Sequence, residues 1–179
     1  MEAIGRFRHF GCAAIVGLVL LHAPLATADD RARPAGLQDV GSFTARHRLN
    51  GRYEGVELAG SVAGATIQFD IELEVDGQGS FLHAATGKCL AVSLFEEQSP
   101  AGAGICVYED ADGDLLYMQF AQDAFTESGN GRSVGGTGKY VGLDVTTEHS
   151  TLSSDQEGGG RFWATGVRSG SWKRTANKP

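Results

Sequence analysis

Apolar and polar side chains alternate along much of this chain. The clearest case is the segment from Thr66 to Val75, where every second residue from Ile67 onward is apolar and polar residues lie between them. Because successive side chains of a strand point to opposite faces of a sheet, this pattern predicts an antiparallel strand with one buried face. The polar set, which includes Asp70 and Glu72, is expected on a solvated outer face.

Turn residues separate these alternating segments at short intervals. Asp76-Gly77 and Asp112-Gly113 are typical hairpin turns, and the 26 glycines leave no long window of strong helix formers. We expect further strands at Ser42–Arg48, Tyr53–Val62, Ser80–Ala84, Lys88–Leu94, Ile105–Glu109, Leu115–Gln122, Lys139–Val145, Gly160–Gly166 and Gly170–Lys173. Such a series predicts an all-β domain, either a barrel or a sandwich. We favour a closed or nearly closed small antiparallel β-barrel of about eight main strands, because closure removes the sheet edges.

Residues 1–28 have the pattern of a secretory signal peptide. Arg6 and Arg8 precede the apolar run Ala13–Ala23, and the small residues Ala26-Thr27-Ala28 follow it. The alternative is a membrane anchor, but a spanning helix needs about 20 apolar residues. We therefore expect cleavage before Asp29, an exported protein that is periplasmic or secreted, and no membrane span after cleavage.

The remaining chain fits one domain. We expect a flexible leader over 29–41, a single β-barrel domain over 42–175 and a short tail over 176–179. The chain carries 15 basic and 22 acidic residues, a net charge of −7. A nucleic-acid-binding domain is usually basic, so we expect no nucleic-acid partner.

Two cysteines, Cys89 and Cys106, remain after the expected cleavage. Cysteines in an oxidising compartment most often pair, and both lie in predicted strands joined by a turn. We therefore predict a disulfide between them. Two buried free thiols are the alternative.

Several segments carry a resemblance to known proteins: Asp76–Ala84, Lys88-Cys89, Gly104–Asp114, Gly135–Leu143, Gly160–Gly166 and Gly170-Ser171. They resemble a family of small exported bacterial proteins that is similar to the allene oxide cyclase and dirigent barrels. The resemblance implies an eight-stranded antiparallel barrel with an apolar interior. It carries no catalytic residue onto this chain, and a fold alone does not give a function.

Two motifs suggest chemistry that their surroundings do not support. Asp110, Asp112 and Asp114 have the spacing that begins a calcium-binding loop, but position six is Leu115 rather than glycine. We expect a hairpin turn, with a low-affinity calcium site as the alternative and no other metal. The segment 135–140 resembles a phosphate loop, but a strand rather than a helix is predicted to follow it. We therefore expect no nucleotide and no cofactor.

The histidines His47, His83 and His149 are far apart in the sequence and match no metal-binding spacing. Each is expected at the surface or hydrogen-bonded, although a closed barrel can bring distant residues together. Aromatic residues along the strands are expected mainly in the core, and some can line a cavity for an apolar ligand. The candidates for lining a cavity are Phe69, Tyr117, Phe120, Tyr140 and His83.

These observations favour an exported barrel that binds a small apolar ligand or a macromolecular partner without catalysis. The first alternative is a cyclase or isomerase that steers a reactive intermediate in an apolar cavity, without metal or nucleotide. The second is a structural or surface module. An open apolar cavity with an ionisable group at its floor would favour the enzyme, and an open cavity without one would favour the binding protein.

Overall fold

The computed structural model describes residues 37–59, 62–75, 81–95, 101–123 and 127–175. Within them, eight antiparallel strands pair in chain order and close into a barrel. The strands are β1 Val40–Ala59, β2 Val62–Val75, β3 Thr86–Phe95, β4 Ala101–Glu109, β5 Leu115–Asp123, β6 Ser128–Gly136, β7 Leu143–Glu157 and β8 Arg161–Arg174. This confirms the predicted all-β, closed antiparallel barrel. No helix in the described ranges has the length and apolar character to cross a bilayer.

The alternating pattern produces the barrel interior. On β2, Ile71, Leu73 and Val75 are buried, whereas Asp70 and Glu72 are exposed. The carboxylates of this strand therefore lie on the solvated outer face, as the alternation predicts. The predicted signal peptide over 1–28, residues 29–36 of the predicted leader and the predicted tail over 176–179 lie outside the described residues. β1 begins at Val40, just inside the predicted leader.

Two of the observed strands are longer than the segments that the sequence predicts. β1 joins the predicted strand Ser42–Arg48 to the first part of the predicted strand Tyr53–Val62, but it ends at Ala59, and Val62 instead begins β2. β8 joins the two predicted C-terminal strands. Glycines inside these strands do not interrupt them, because their missing side chains leave room for inward rings. A Cβ on Gly51, for example, would lie 2.7 Å from Cε1 of Phe162.

Three segments near the turns differ from the sequence prediction. Residues 81–84, predicted as a strand, form turns in which Leu82 and Ala84 have φ angles of 56° and 49°. The predicted strand at 139–145 starts instead with a 3-10 turn at Gly138–Tyr140, and β7 begins at Leu143. β6 was not predicted, because its four glycines hide the alternation.

Aromatic side chains fill one end of the barrel, which we call the closed end. Phe81, which follows β2, stacks on Trp172 of β8 with ring centroids 4.7 Å apart and planes 10° apart. Phe43 of β1 and Tyr140 lie against the other sides of Phe81, with centroids at 4.8 and 5.5 Å. All four side chains are buried, so this end has no room for a ligand.

The predicted disulfide is confirmed. Cys89 of β3 and Cys106 of β4 lie directly opposite each other in the strand register, with an S–S distance of 2.00 Å. Both cysteines are buried. The disulfide therefore ties two neighbouring strands together inside the barrel.

Candidate functional site

A cavity of about 470 Å³ occupies the opposite end of the barrel, which we call the open end. Its wall is largely apolar and includes Leu49, Ile67, Phe69, Phe120 and Phe162. Small-molecule sites typically have volumes of about 300–1,000 Å³ and apolar walls with a few polar groups. The open end therefore has the size and lining of a small-molecule site.

The floor of this cavity is polar and carries three ionisable side chains: His47 of β1, His149 of β7 and Arg168 of β8. Strand register explains why they meet, since His47 lies opposite Gly166 and His149 lies opposite Arg168. All three positions belong to the inward-facing set of their strands. The barrel thus brings together residues that are far apart in the sequence.

Arg168 is 8% exposed and extends from β8 towards β4. Its Nη1 donates a hydrogen bond of 2.5 Å to the hydroxyl oxygen of Tyr108, which lies below the cavity in the apolar core. Its Nε is buried without a hydrogen-bond partner. Arg168 therefore marks the boundary between the filled interior and the open cavity.

Both floor histidines are neutral near pH 7. Burial, together with the positive charge of Arg168, lowers the pKa of His149 from 6.5 to about 4. Burial, Arg168 and His149 together lower the pKa of His47 to about 4. In each ring Nδ1 is buried without a hydrogen-bond partner. Each neutral imidazole carries one N–H donor and one acceptor nitrogen.

Two glycines provide the space for these rings. A Cβ on Gly166 would lie 2.6 Å from Cε1 of His47, and a Cβ on Gly129 would lie 2.7 Å from Cε1 of His149. Contacts this short are not tolerated between real side chains, so a larger residue at either position would displace a histidine.

The structure separates the cavity candidates into two groups. Phe69 and Phe120 line the cavity, with ring centroids 6.1 Å apart. Tyr117 lies on the opposite face of β5 from the buried Leu116, so it points out of the barrel. Tyr140 packs at the closed end, and His83 lies in the turn beside it. Tyr117, Tyr140 and His83 do not line this cavity.

The acidic turn after β4 forms a latch at the closed end, which we call the Asp110 latch. Oδ1 of Asp110 accepts hydrogen bonds from the backbone N–H groups of Asp112 and Asp114, at 2.9 and 3.1 Å. Oδ2 of Asp110 accepts a hydrogen bond from the Tyr140 hydroxyl and contacts Nζ of Lys139, both at 2.6 Å. Nζ of Lys139 also donates to Asp112 at 2.6 Å.

This latch explains two sequence motifs together. Lys139 and Tyr140 belong to the segment that resembles a phosphate loop, and both bind the turn that resembles a calcium loop. A lysine ammonium group thus lies where a cation would have to bind between Asp110 and Asp112. Across the described residues, no group of three or more His, Cys, Asp or Glu side chains is arranged to hold a metal ion.

Sequence reasoning underestimated His47 and His149 and missed Arg168 and Tyr108. The signal that could have identified Arg168 lies in the inward-facing positions of β8. There the small residues Ala164, Gly166 and Gly170 alternate with larger residues that face outward. Arg168 interrupts this small-residue series on the inward face. A charged residue at an inward position of a small barrel is rare enough to mark a site.

Fold and site together define an eight-stranded antiparallel barrel that is filled at one end and holds a polar-floored cavity at the other. No family model matches the chain, and no curated protein matches it either. Among solved structures, the pterocarpan synthase dirigent protein GePTS1 is similar, with 14% sequence identity and a TM-score of 0.47. The match covers 80% of this chain and 92% of that chain.

Proposed function

We propose that this protein binds a small, largely apolar molecule in the open-end cavity. The observation that carries the proposal is the cavity itself: about 470 Å³ of space between aromatic walls, above a polar floor. Burying apolar ligand surface against such walls contributes roughly 25 cal/mol per Å². The three floor side chains would fix the orientation of a polar group on the ligand.

The test of binding is native mass spectrometry of the protein purified from its own producer. We expect the folded protein to carry a small molecule that organic solvent extracts. Ala91→Phe places a ring in the cavity that Ala91 lines, and this variant should lose the molecule. Ala103→Phe is the matched control, because Ala103 is exposed; it should keep the molecule.

The binding proposal fails if the protein from its producer carries no molecule. It also fails if Ala91→Phe and Ala103→Phe carry equal amounts, because occupancy would then not depend on this cavity. Circular dichroism of both variants checks that the barrel is intact.

A second candidate is a cyclase or isomerase that acts on a bound intermediate, and the cavity floor favours it. A neutral imidazole can accept a proton, and a nearby guanidinium group can stabilise an oxyanion that forms during the reaction. The apolar walls would hold the substrate in one conformation and exclude water. In this candidate, His47 and His149 are the proton acceptors and Arg168 stabilises the developing charge.

The enzyme candidate predicts turnover in addition to binding. An extract of the producer, incubated with the protein, should show one compound converted into an isomer of the same mass by chiral liquid chromatography and mass spectrometry. The double variant His47→Gln/His149→Gln should bind the compound without converting it. If wild type and double variant leave the extract equally unchanged, the protein is a binding protein and not a cyclase.

We also propose that the protein works outside the cytoplasm. The Cys89–Cys106 disulfide supports an oxidising compartment, and residues 1–28 have the composition of a signal peptide. N-terminal sequencing of the native protein should begin at Asp29. A chain that still begins at Met1 would contradict this proposal.

A further inference from the structure

We propose that the molecule in the open-end cavity carries a carboxylate, and that Arg168 binds it. This inference rests on the proposed function, because it names the chemical class of the ligand for the same cavity. The ligand is then amphipathic: its carboxylate lies on the floor and its apolar body lies between the aromatic walls.

The first argument is that Arg168 is buried and has no counterion among the residues that the structure describes. It is 92% buried, since only 8% of its surface is exposed. None of the ion pairs between described residues involves Arg168. Its one hydrogen bond goes to a neutral acceptor, the hydroxyl oxygen of Tyr108. A buried charge without a partner is costly, and proteins normally pair it or bind a counterion.

The second argument is the shape of the unused part of the guanidinium group. The hydrogen bond to Tyr108 uses Nη1 alone, and Nε has no partner. The planar guanidinium fork matches the two oxygens of a carboxylate better than it matches any single acceptor. Arg168 contributes to the cavity lining, so a ligand in the cavity can contact its side chain.

The third argument is the arrangement of the other titratable groups. His47 and His149 flank Arg168 on the floor and are neutral near pH 7, so they can donate a hydrogen bond to an anion without adding a competing charge. Among the described residues, the carboxylates in the cavity lining are Glu127 and Asp155, and both are exposed. Water screens these two acids much more than it screens Arg168.

The aromatic walls distinguish an organic carboxylate from an inorganic anion. Phe69, Phe120 and Phe162 surround the space above the floor, and an inorganic anion would leave them in contact with water alone. An apolar body on the anion buries this surface. We therefore assign the cavity to an apolar carboxylic acid.

The test compares two probes of nearly equal shape, naphthaleneacetate and naphthaleneacetamide, by isothermal titration calorimetry. They differ mainly in charge. At pH 7 the wild-type protein should bind the carboxylate about 10- to 100-fold more tightly than the amide, which is the expected effect of a charge-assisted hydrogen bond. Equal affinity for the two probes would overturn the inference.

Variants locate the effect at Arg168. Arg168→Met should remove the preference for the carboxylate and leave the affinity for the amide within a few-fold of the wild type. Arg132→Met is the matched control, because Arg132 is exposed on β6, and it should keep the preference. A preference that survives Arg168→Met, or that Arg132→Met also removes, would show that the anion is not bound by Arg168.

A measurement without any variant covers the case in which Arg168→Met does not fold. An anion beside His47 and His149 stabilises their protonated forms, so naphthaleneacetate should raise the pKa of both histidines in an NMR titration. Naphthaleneacetamide should leave both values unchanged. Unchanged values with the saturating carboxylate would overturn the inference.

The native ligand separates this inference from the proposed function. If the molecule extracted from the native protein has a carboxyl group, both hold. If that molecule has no acidic group, the carboxylate inference is wrong and the binding function stands. If no molecule is found, the proposed function is wrong, and if neither probe binds either, the carboxylate inference is wrong as well.

Discussion

The two ends of the barrel contain the same kinds of residue and use them differently. At the closed end, Phe81 and Trp172 stack on each other, and Asp110 has a partner for each carboxylate oxygen. At the open end, Phe69 and Phe162 meet edge to face around empty space. There, buried polar atoms of the floor lack hydrogen-bond partners. The closed end also has a buried polar atom without a partner, Nδ1 of His83, but its interior space is filled, whereas the open end combines unpaired polar atoms with an empty cavity.

Among the substitutions, the largest expected effect distinguishes the two ends by their packing. Trp172→Ala should lower the free energy of unfolding by about 3–5 kcal/mol, because it opens a cavity in a fully packed aromatic cluster. Phe162→Ala should cost only about 1–2 kcal/mol, because Phe162 is half-buried beside space that is already empty. Urea unfolding of both variants measures the difference. Equal losses would mean that the open end is as tightly packed as the closed end.

Removing the disulfide should cause the next largest loss in the free energy of unfolding. This loss concerns the whole barrel and not one of its ends. The two cysteines are 17 positions apart, and a closed loop of this size stabilises a fold by about 3 kcal/mol in the chain-entropy model. The double variant Cys89→Ala/Cys106→Ala should lose about this amount in urea unfolding. Adding a reductant should then destabilise the wild type towards the variant and leave the variant unchanged. A reductant-insensitive wild type would contradict a stabilising disulfide.

The contrast between the two ends also explains which parts of the fold the sequence predicts. Alternation along Thr66–Val75 is enough to predict an all-β fold, because the inward positions of β2 must be apolar in any barrel or sandwich. Strand limits are harder, because Gly51 reads as an interruption and is in fact a space for the Phe162 ring. Turn chemistry alone cannot show that residues 81–84 fold back to cover the closed end.

The candidate site was only partly predictable for a related reason. Phe69 and Phe120 follow from the parity of their own strands. The floor does not, since His47, His149 and Arg168 lie on three strands that become neighbours only when β8 pairs with both β1 and β7. Barrel closure is a long-range event, and no local window of sequence contains it.

The Asp110 latch should stabilise the closed end by a smaller amount. Asp110→Asn should lower the free energy of unfolding by about 2 kcal/mol, because it removes a charge-assisted acceptor from Lys139 and Tyr140. Asp112→Asn is the matched control in the same turn. Its carboxylate contacts the same lysine but its side chain is 73% exposed, so it should change stability by less than about 0.5 kcal/mol. Similar losses in both variants would show that the latch acts through surface charge and not through its buried hydrogen bonds.

A pH dependence also distinguishes the two ends by their titrating groups. At the open end, burial and Arg168 hold the pKa of His47 and His149 at about 4, against 6.5 in an unfolded chain. Between these two values the unfolded chain binds protons that the folded chain does not. The free energy of unfolding should therefore fall as the pH is lowered from about 6.5 to about 4, by at most about 1.4 kcal/mol per pH unit for each histidine.

At the closed end, the pH dependence appears at lower pH. Burial alone would raise the pKa of Asp110, but hydrogen bonds from Lys139, Tyr140 and two backbone N–H groups outweigh it and hold this pKa below its ordinary value of 3.8. Its contribution to stability is complete above that value and is lost as the pH falls through the lowered pKa.

Urea midpoints measured at a series of pH values separate these contributions. The double variant His47→Gln/His149→Gln should make the urea midpoint nearly independent of pH between 4 and 6.5, and it should keep the loss of stability below pH 4 that Asp110 causes. Asp110→Asn should remove that loss below pH 4 and keep the pH dependence between 4 and 6.5. If the histidine variant keeps the full slope between pH 4 and 6.5, the floor of the cavity is not the buried, neutral surface that its geometry indicates.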